Sequence, residues 1–466
     1  MPPSRTPAAE SSTELGSFRD PDSRVFLDDD VVYRVLSPDG WQDWLALSAT
    51  PLATDERLIA TEPVELDDLP DLTGEPAAAA LRHERIPFVS HPYEWPFSML
   101  KDAALLQLAL GRAALQHDLT LKDASAYNVQ FKGSTPVFVD VGSFERLNEG
   151  EPWAGYRQFC MLFLYPLMLQ AYKGMPYHAL LRGQLDGIRP SEARAVLSAR
   201  RRGVFTHVVL HARLEARYAD AGGREVKREL KRAGFGKALL DANLRKLEKL
   251  VRRLEFTPGR TAWTEYGSTN TYSDEEAARK AEFVRAAAER HKGGLVWDLG
   301  CNDGTYSRVA GEHARTVVAV DADHATVDGL YRALREEERT DILPLVMSLT
   351  DPSPDVGWRG LERARLERRG TPDLALALAL IHHVVSTGNV PVREFVGWLR
   401  SLDCALVIEF PEREDPMVQK LLSGKTEKAN PDYERETFER ALGERFEVER
   451  TERLGSRTLY EARPRA

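Results

Sequence analysis

Cysteine is scarce in this chain of 466 residues. Its three cysteines, Cys160, Cys301 and Cys404, lie far apart and form no C-x-x-C pair. A disulfide framework or a zinc site would need paired or closely spaced cysteines, so the sequence indicates neither, and no other metal site is signalled. We therefore expect three buried thiols in a protein of the reducing cytoplasm.

Long apolar runs are also missing. The longest, residues 159–169, falls well short of the about 20 residues needed to cross a bilayer, and it contains Pro166. Residues 1–23 are rich in proline, serine and charge and have no apolar centre like that of a signal peptide, which predicts a disordered tail. We expect a buried helix at the apolar run, a soluble protein and no membrane partner.

Positive charge is in deficit over the whole chain, whose formal net charge is -9 and whose pI is near 5.8. This balance argues against a nucleic-acid surface that covers the molecule, and it fits a small-molecule or basic substrate at least as well. Residues 181–261 are the exception, because arginine and lysine dominate their helical pattern. We interpret them as a basic helical connector with solvated faces, and contact with an anionic substrate or nucleic acid is the alternative.

The first part of the chain has the pattern of a small α+β domain, predicted over residues 24–180. Short strands are expected between residues 24 and 90, with the S-P-D-G sequence at residues 37–40 as a turn. A helix is predicted from Phe97 to His117 because its apolar residues recur at helical spacing.

From residue 262 to the end, apolar strands alternate with helical segments. Five strands separated by helices precede two strands that are close enough in sequence to pair. This order predicts an α/β fold with a Rossmann-like, mainly parallel sheet of seven strands that ends in an antiparallel pair. The predicted strands lie at residues 295–300, 316–321, 342–347, 373–381 and 405–410, and near 446 and 457.

The strongest chemical signal follows the first of these strands. Asp298, Gly300, Asn302 and Gly304 form an acidic-x-G-x-N-x-G turn between a strand and a helix. The two glycines let a ligand lie close to the main chain, and Asp298 can accept a hydrogen bond from a cationic amine. About 20 residues further on, the next strand ends at Asp321, where a carboxylate can bind both hydroxyls of a ribose.

These residues resemble the class I S-adenosylmethionine-dependent methyltransferases, over about residues 262–466. The likeness is carried by D-L-G-C-N-D-G at residues 298–304, by Val320-Asp321 and by the terminal pair of strands. An NAD enzyme would more often carry G-x-G-x-x-G. The resemblance implies S-adenosylmethionine as cofactor, with Asp298 and Gly300 at its methionine part and Asp321 at its ribose.

The family's adenine-contacting position follows the third strand, where this chain has Ser348 and Leu349. An aspartate is commoner in the family at the position of Ser348. Tyr266 and Tyr272 precede the first strand, and they either cap the donor site or simply pack.

The acceptor would sit beyond the fourth strand, which runs into the adjacent His382 and His383. A neutral imidazole can take the proton from a hydroxyl or amine that attacks the sulfonium methyl group, so both are candidate catalytic residues. The alternative is that one histidine packs against the cofactor and the other orients a loop. Glu409, at the end of the fifth strand, is a further polar candidate, with a structural role as the alternative.

A second constellation lies in the first part of the chain. Asp123, Asn128 and Asp140, the last followed by Val141-Gly142, have the order of the catalytic aspartate and the metal ligands of a kinase. Over about residues 90–170 the chain resembles a degenerate protein kinase or aminoglycoside phosphotransferase, although no glycine-rich loop or phosphate-binding lysine precedes it. Three interpretations stay open: a scaffold that binds substrate or supports the other domain, a chance likeness, and a working phosphotransferase.

Together these features predict a methyltransferase that acts on a small-molecule acceptor, such as a glycan or natural product. The kinase-like part would serve substrate binding or support. A protein substrate is also open, and nucleic acid fits the charge less well. The alternatives are a bifunctional methyltransferase and phosphotransferase, and an adaptor that only binds the methyl donor.

Overall fold

A computed structural model describes most of the chain, and it leaves out several terminal and internal segments. Tyr266, Tyr272 and the middle of the basic stretch lie outside the described residues. The described ranges are 12–13, 15–28, 31–69, 77–213, 236–257, 273–422 and 432–465.

The first described residues belong to an antiparallel sheet of five strands, in the order β1-β2-β3-β5-β4. Residues 12–13 form β1 and residue 23 begins β2, so part of the predicted disordered tail, residues 1–23, is in this sheet. A helix, α1, connects the third and fourth strands. The bounds are β1 Ser12–Thr13, β2 Ser23–Asp28, β3 Val31–Leu36, α1 Pro38–Ser48, β4 Thr61–Val64 and β5 Ala79–His83.

The turn predicted at residues 37–40 is wrong, because these residues begin α1. The Ser37 hydroxyl accepts a hydrogen bond from the Gly40 backbone N–H at 3.1 Å, and Pro38 occupies the first helical turn. Serine followed by proline suits a helix N-terminus as well as a turn. Burial of Trp44 and Leu47 then decides in favour of the helix.

A mainly helical region with two small β-pairs follows. The helix predicted from Phe97 is confirmed as α2. Strand β6 pairs with β9 and β7 with β8, both antiparallel. The bounds are α2 Phe97–Gln116, β6 Leu119–Leu121, β7 Val129–Lys132, β8 Thr135–Phe138, β9 Phe144–Arg146, α3 Tyr156–Phe159, α4 Tyr165–Lys173, α5 His178–Gly183, α6 Pro190–Val196 and α7 Lys237–Arg252.

The apolar run at residues 159–169 is buried and helical, as predicted, but a π-helical turn at Cys160–Leu164 interrupts it between α3 and α4. Pro166 is tolerated because it lies in the first turn of α4. All three cysteines are buried thiols. Within the described ranges, we find no helix that is both long enough and apolar enough to cross a bilayer.

The last part of the chain has an α/β fold with a mixed seven-stranded sheet, in the order β12-β11-β10-β13-β14-β16-β15. Strands β10 to β14 are parallel, and β16 is antiparallel to both of its neighbours. The bounds are α8 Asp274–Arg290, β10 Leu295–Leu299, α9 Thr305–Gly311, β11 Thr316–Asp321, α10 His324–Glu336, β12 Ile342–Val346, β13 Leu374–Ala377, α11 Val392–Ser401, β14 Ala405–Pro411, α12 Pro416–Leu422, α13 Arg435–Arg445, β15 Phe446–Leu454 and β16 Arg457–Pro464.

All seven predicted strands of this sheet are confirmed, but β13 is shorter than expected. It ends at Ala377, and Ala379 has a left-handed backbone (φ 48°), which a strand does not accommodate. The predicted strand at residues 373–381 therefore contains a turn that carries its last residues away from the sheet.

The regions that contain the two sheets pack against each other, because side chains from both contribute to one hydrophobic core. The Phe88 and Trp297 rings meet edge to face at 6.2 Å, and so do Phe131 and Tyr331. Such aromatic contacts add to the free energy gained from buried area. The described parts of the first and last regions are therefore packed directly against each other.

A buried ion pair crosses this interface. Arg369 donates from both terminal nitrogens to Glu94, at 2.6 and 2.7 Å, and Glu94 also accepts from the Ser353 hydroxyl at 2.5 Å and the His91 backbone N–H at 2.9 Å. Burial alone would raise the pKa of Glu94, but Arg369 outweighs it and holds the pKa below its ordinary value. Each carboxylate oxygen thus accepts two hydrogen bonds, which a buried charge requires.

We expect Glu94→Gln to lower the free energy of unfolding by about 3–5 kcal/mol, because it leaves the Arg369 guanidinium buried without a counter-charge. Chemical denaturation measures this change. The matched control is Glu444→Gln, which removes one partner of the exposed pair with Arg393 and should cost about 0.5 kcal/mol or less. Similar costs for the two variants would show that the buried pair does not hold the interface.

Candidate functional site

The predicted cofactor loop leaves β10 in a conformation that needs its glycines. Gly300 and Gly304 both have left-handed backbones, with φ of 81° and 77°, and Asn302 between them has φ 49°. Asparagine tolerates this region better than most residues. The backbone N–H groups of Gly300 and Cys301 donate to the Val320 carbonyl, at 2.8 and 3.0 Å. The loop is therefore tied to the neighbouring strand, β11.

Asp298 is the penultimate residue of β10 and is almost completely buried. The Ser307 hydroxyl donates to one of its carboxylate oxygens at 2.5 Å. Burial raises the pKa of Asp298 to about 6, although Ser307 and Lys280 favour the charged form. A cationic amine placed against this carboxylate would stabilise its ionised form further.

Asp321 ends β11 and accepts one backbone hydrogen bond on each carboxylate oxygen. The donors are the N–H groups of Asn302, at 3.1 Å, and Asp323, at 2.9 Å. Burial raises the pKa of Asp321, and these backbone donors oppose the rise. Each oxygen has a further lone pair, so the carboxylate can hold the glycine loop and still accept from two hydroxyls.

Ser348 and Leu349 follow β12, so they belong to the same edge of the sheet as Asp298 and Asp321. The Ser348 hydroxyl forms a hydrogen bond with that of Thr350 at 2.9 Å, and Leu349 is half-buried against the hydrophobic core. The structure thus brings all the predicted cofactor residues to the carboxyl ends of three neighbouring parallel strands.

His382 and His383 follow β13, with their rings 4.1 Å apart. Burial lowers the pKa of His382 well below its ordinary value, and burial with nearby Arg457 lowers that of His383 to about 4. Neither ring nitrogen of His382 has a hydrogen-bond partner among the described residues. Both imidazoles are therefore neutral near pH 7, the form that can accept a proton.

Glu409, named from the sequence as a polar candidate, lies in a buried charge network beside this site, whose other members the sequence interpretation missed. Lys280 pairs with Glu409 at 2.7 Å, and Arg457 pairs with Asp415 at 2.7 Å. The Lys280 ammonium also lies 4.5 Å from the centre of the Tyr306 ring, which follows the glycine loop. Burial lowers the pKa of Lys280, and Glu409 opposes this shift. Lys280 lies in a helix rich in charged residues, so its pattern gave no sign of burial.

Asp123, Asn128 and Asp140 do come together in the first part of the chain, around Ser143. Asn128 donates to Asp123 at 2.7 Å, and the Ser143 hydroxyl lies 2.8 Å from Asp123 and 2.6 Å from Asp140. Burial and the neighbouring Asp140 raise the pKa of Asp123 to about 7. One hydroxyl proton cannot serve both carboxylates at once, so a protonated Asp123 suits this geometry.

A cation that the sequence interpretation missed completes this cluster. Arg34, on β3, is buried and donates to Asp140 at 2.7 Å and to the Ser23 hydroxyl at 3.1 Å. Its Nε lies 3.3 Å from a ring nitrogen of His83. Arg34 and Asp140 are far apart in sequence, so only the folded sheet brings them into contact. The guanidinium thus supplies positive charge beside the acidic pair.

Comparison with known proteins found one match over nearly the full chain, and no family model matches. Nodulation protein NoeA from Rhizobium meliloti (strain 1021) is 32% identical over 459 residues, which cover 96% of this chain and 94% of the relative.

Three solved structures each match less than half of the chain. PH0226 protein from Pyrococcus horikoshii OT3 is 16% identical, with a TM-score of 0.32, over 44% of this chain and all of its own. Magnesium protoporphyrin IX methyltransferase (ChlM) from Synechocystis PCC 6803 with bound SAH is 14% identical, with a TM-score of 0.31, over 48% of this chain and 95% of its own. N-methyltransferase NodS from Bradyrhizobium japonicum WM9 is 9% identical, with a TM-score of 0.30, over 42% of this chain and 99% of its own.

The likeness to these structures is thus partial, whereas the likeness to the relative from Rhizobium meliloti runs through both sheets. Because that match is above 30% identity and extends over 96% of the sequence, the chain belongs to the family of nodulation protein NoeA.

Proposed function

We propose that this protein is an S-adenosylmethionine-dependent methyltransferase with a small-molecule acceptor. The observation that carries the proposal is the meeting of Asp298, the glycine loop and Asp321 at the ends of two adjacent strands. The order of the seven strands, with its terminal antiparallel pair, supports a methyl donor over a dinucleotide.

In this proposal Asp298 accepts from the amino group of the donor's methionine part, and Asp321 accepts from both ribose hydroxyls. Ser348 and Leu349 border the adenine. When bound, S-adenosylmethionine supplies an electrophilic methyl group on a sulfonium. What this chain must add is alignment of the nucleophile with that carbon, because methyl transfer depends chiefly on in-line positioning.

His383 is the proposed general base, and its neutral imidazole takes the proton from an acceptor hydroxyl or amine during attack. His382 is buried beside it and would orient the ring and exclude water. The alternative is that both histidines only shape the acceptor wall. The depressed pKa values keep both rings unprotonated, as a base must be, but they also weaken each ring as a base, so the pH profile and His383→Gln decide between the two roles.

The first part of the chain would then act as a kinase-like scaffold that helps to bind the acceptor, and not as a phosphotransferase. Phosphotransfer of the kinase type needs divalent cations beside the residues that correspond to Asn128 and Asp140. The Arg34 guanidinium already neutralises Asp140, and Ser143 and Asn128 are hydrogen-bonded to Asp123. A metal ion would have to displace these contacts.

Asp321→Ala should weaken S-adenosylmethionine binding about 10- to 100-fold, because two hydrogen bonds to a charged acceptor are lost. Isothermal titration calorimetry measures the Kd, and an unfolding curve checks the fold. Asp341→Ala is the matched control: Asp341 pairs with Arg339 and precedes β12 at the opposite end of the sheet. Unchanged affinity in Asp321→Ala would refute the assigned ribose site.

Methyl transfer itself is tested with isotopically labelled S-adenosylmethionine and a fractionated extract, followed by mass identification of the labelled compound. Label should enter a small molecule with the native protein and not with Asp298→Ala. Tight donor binding without any labelled product would favour the adaptor, and label in protein or RNA would correct the acceptor class.

The pH dependence of transfer reports on His383. The proton-accepting form persists down to its pKa of about 4, so the single-turnover rate should stay level from about pH 8 to about pH 5 and then fall. The rate is measured at saturating donor, whose amine would hold Asp298 ionised below its pKa of about 6. His383→Gln should lower the rate by about 100-fold without changing the Kd of the donor. The exposed His117→Gln is the control. A decline that is already half complete near pH 6.5 contradicts a buried, neutral base.

The cluster around Asp123 should not bind Mg-ATP, and titration with ATP and Mg²⁺ should leave the unfolding temperature unchanged. The pKa of Asp123 is raised from its ordinary value of 3.8 to about 7, so the native protein should lose stability as the pH rises from about 4 to about 7, and little more above that. The stability of Asp123→Asn relative to the native protein should therefore increase across this range and then stay level. Saturable Mg-ATP binding by the native protein that is lost in Asp123→Asn would support the phosphotransferase interpretation instead.

A further inference from the structure

A large cavity lies between the helical region of the first part of the chain and the loop that follows β12. Its volume is about 1020 Å³. Ligand pockets usually measure about 300–1000 Å³, so this cavity has room for more than one ring. No cofactor or catalytic residue proposed above lines it.

Two ion pairs join the walls of this cavity. Arg19 pairs with Glu362 at 2.5 Å, and Arg182 pairs with Asp351 at 2.6 Å. Asp351 in turn donates its backbone N–H to the carbonyl of Ser348, at 3.1 Å. The cavity is therefore connected through one residue to the proposed adenine site.

The opposite wall reaches the cluster around Asp123. Gln158 lines the cavity, and its side-chain oxygen accepts from the Ala124 backbone N–H at 2.8 Å. A ligand in the cavity would thus lie between the two parts of the chain that carry the predicted chemistry.

The charge of the lining is opposite to that of the whole protein. Four arginines, at positions 19, 157, 182 and 189, and two carboxylates, Asp186 and Glu362, line the cavity, in a chain with a net charge of -9. Glu362 and Asp351 offset the charges of Arg19 and Arg182, so the excess of positive charge is smaller than the number of arginines. A concave surface with one prevailing sign attracts ligands of the other. Guanidinium groups also bind carboxylate, sulfate and phosphate through two parallel hydrogen bonds.

Trp358 adds a flat aromatic face to this polar lining. Trp358 is 54% exposed, an unusual state for a tryptophan. The Phe18 ring lies 5.5 Å from the indole and the Arg359 guanidinium 5.2 Å from its centre, so a sugar would meet the part of the ring that these two leave open. Gly357 and Arg359 on either side both have left-handed backbones, with φ of 89° and 57°, and a non-glycine residue in this region costs free energy. An indole combines an apolar face with an N–H donor, which suits the C–H face and hydroxyls of a sugar ring.

We propose that this cavity binds an acidic oligosaccharide, with a sugar ring against Trp358 and its anionic groups on the arginines. The carboxylates of the lining accept hydrogen bonds from the sugar hydroxyls, and its amides both accept and donate them. The further idea that this saccharide is the methyl acceptor rests on the proposed function. The idea that the cavity binds it does not.

The test is calorimetric titration of the full chain with a panel of short oligosaccharides. Uronate-containing, sulfated and phosphorylated members are paired with neutral oligosaccharides of equal length, and inorganic phosphate is a separate probe. At least one acidic member should bind, and Trp358→Ala and Arg157→Gln should each weaken it about 10- to 100-fold. Phe205→Ala, at an exposed ring outside the cavity, and Arg440→Gln are the matched controls.

Failure of every acidic member to bind, equal binding of neutral partners, or loss of binding only in the controls would overturn the proposal. So would phosphate that binds as tightly as the oligosaccharide. Asp321→Ala separates this result from the proposed function, because it should weaken donor binding and leave the saccharide affinity unchanged. Saccharide binding without methyl transfer would overturn only the acceptor role.

Discussion

The buried pair of Glu94 and Arg369 fixes the course of the loop between β12 and β13, and both proposed sites depend on that loop. The loop begins at the adenine position, donates to Glu94 through Ser353, forms one wall of the cavity and returns through Arg369. Desolvation makes a buried charge unfavourable unless its hydrogen-bonding capacity is satisfied. Here each oxygen of Glu94 has two donors, so displacing the loop would cost several hydrogen bonds at once.

The cofactor site follows from a constraint that the sequence states clearly. Parallel strands have their carboxyl ends at one edge, so Asp298, Asp321 and Ser348 had to meet once five apolar strands with helical crossovers were recognised. Buried parallel strands are nearly continuous apolar runs, and the glycines of a loop with a left-handed backbone are easily recognised in the sequence. These local signals made the C-terminal sheet and its loop predictable from residues alone.

Other features depended on contacts that no local pattern contains. Arg34 meets Asp140 and Lys280 meets Glu409 across more than a hundred residues of chain, and each cation lies in a segment where a solvated charge would look the same. The S-P-D-G sequence fits a turn and a helix start equally well, and burial of Trp44 decides between them. The early end of β13 likewise depends on the left-handed backbone of one alanine, Ala379. Ala379 lies in a continuous apolar run, so the sequence there resembles an uninterrupted strand.

The two acidic sites differ in how their charges are compensated, and this difference assigns them different roles. Asp140 already has Arg34, and the pKa of Asp123 is raised to about 7, so the first site reaches near neutrality by itself. Asp298 is buried with a pKa raised to about 6, and its hydrogen-bond donor, Ser307, is uncharged. A cation beside Asp298 would favour the ionised form of that carboxyl and bind to it. A cation beside Asp140 would have to compete with the Arg34 guanidinium. A positively charged ligand is therefore favoured at Asp298 over Asp140.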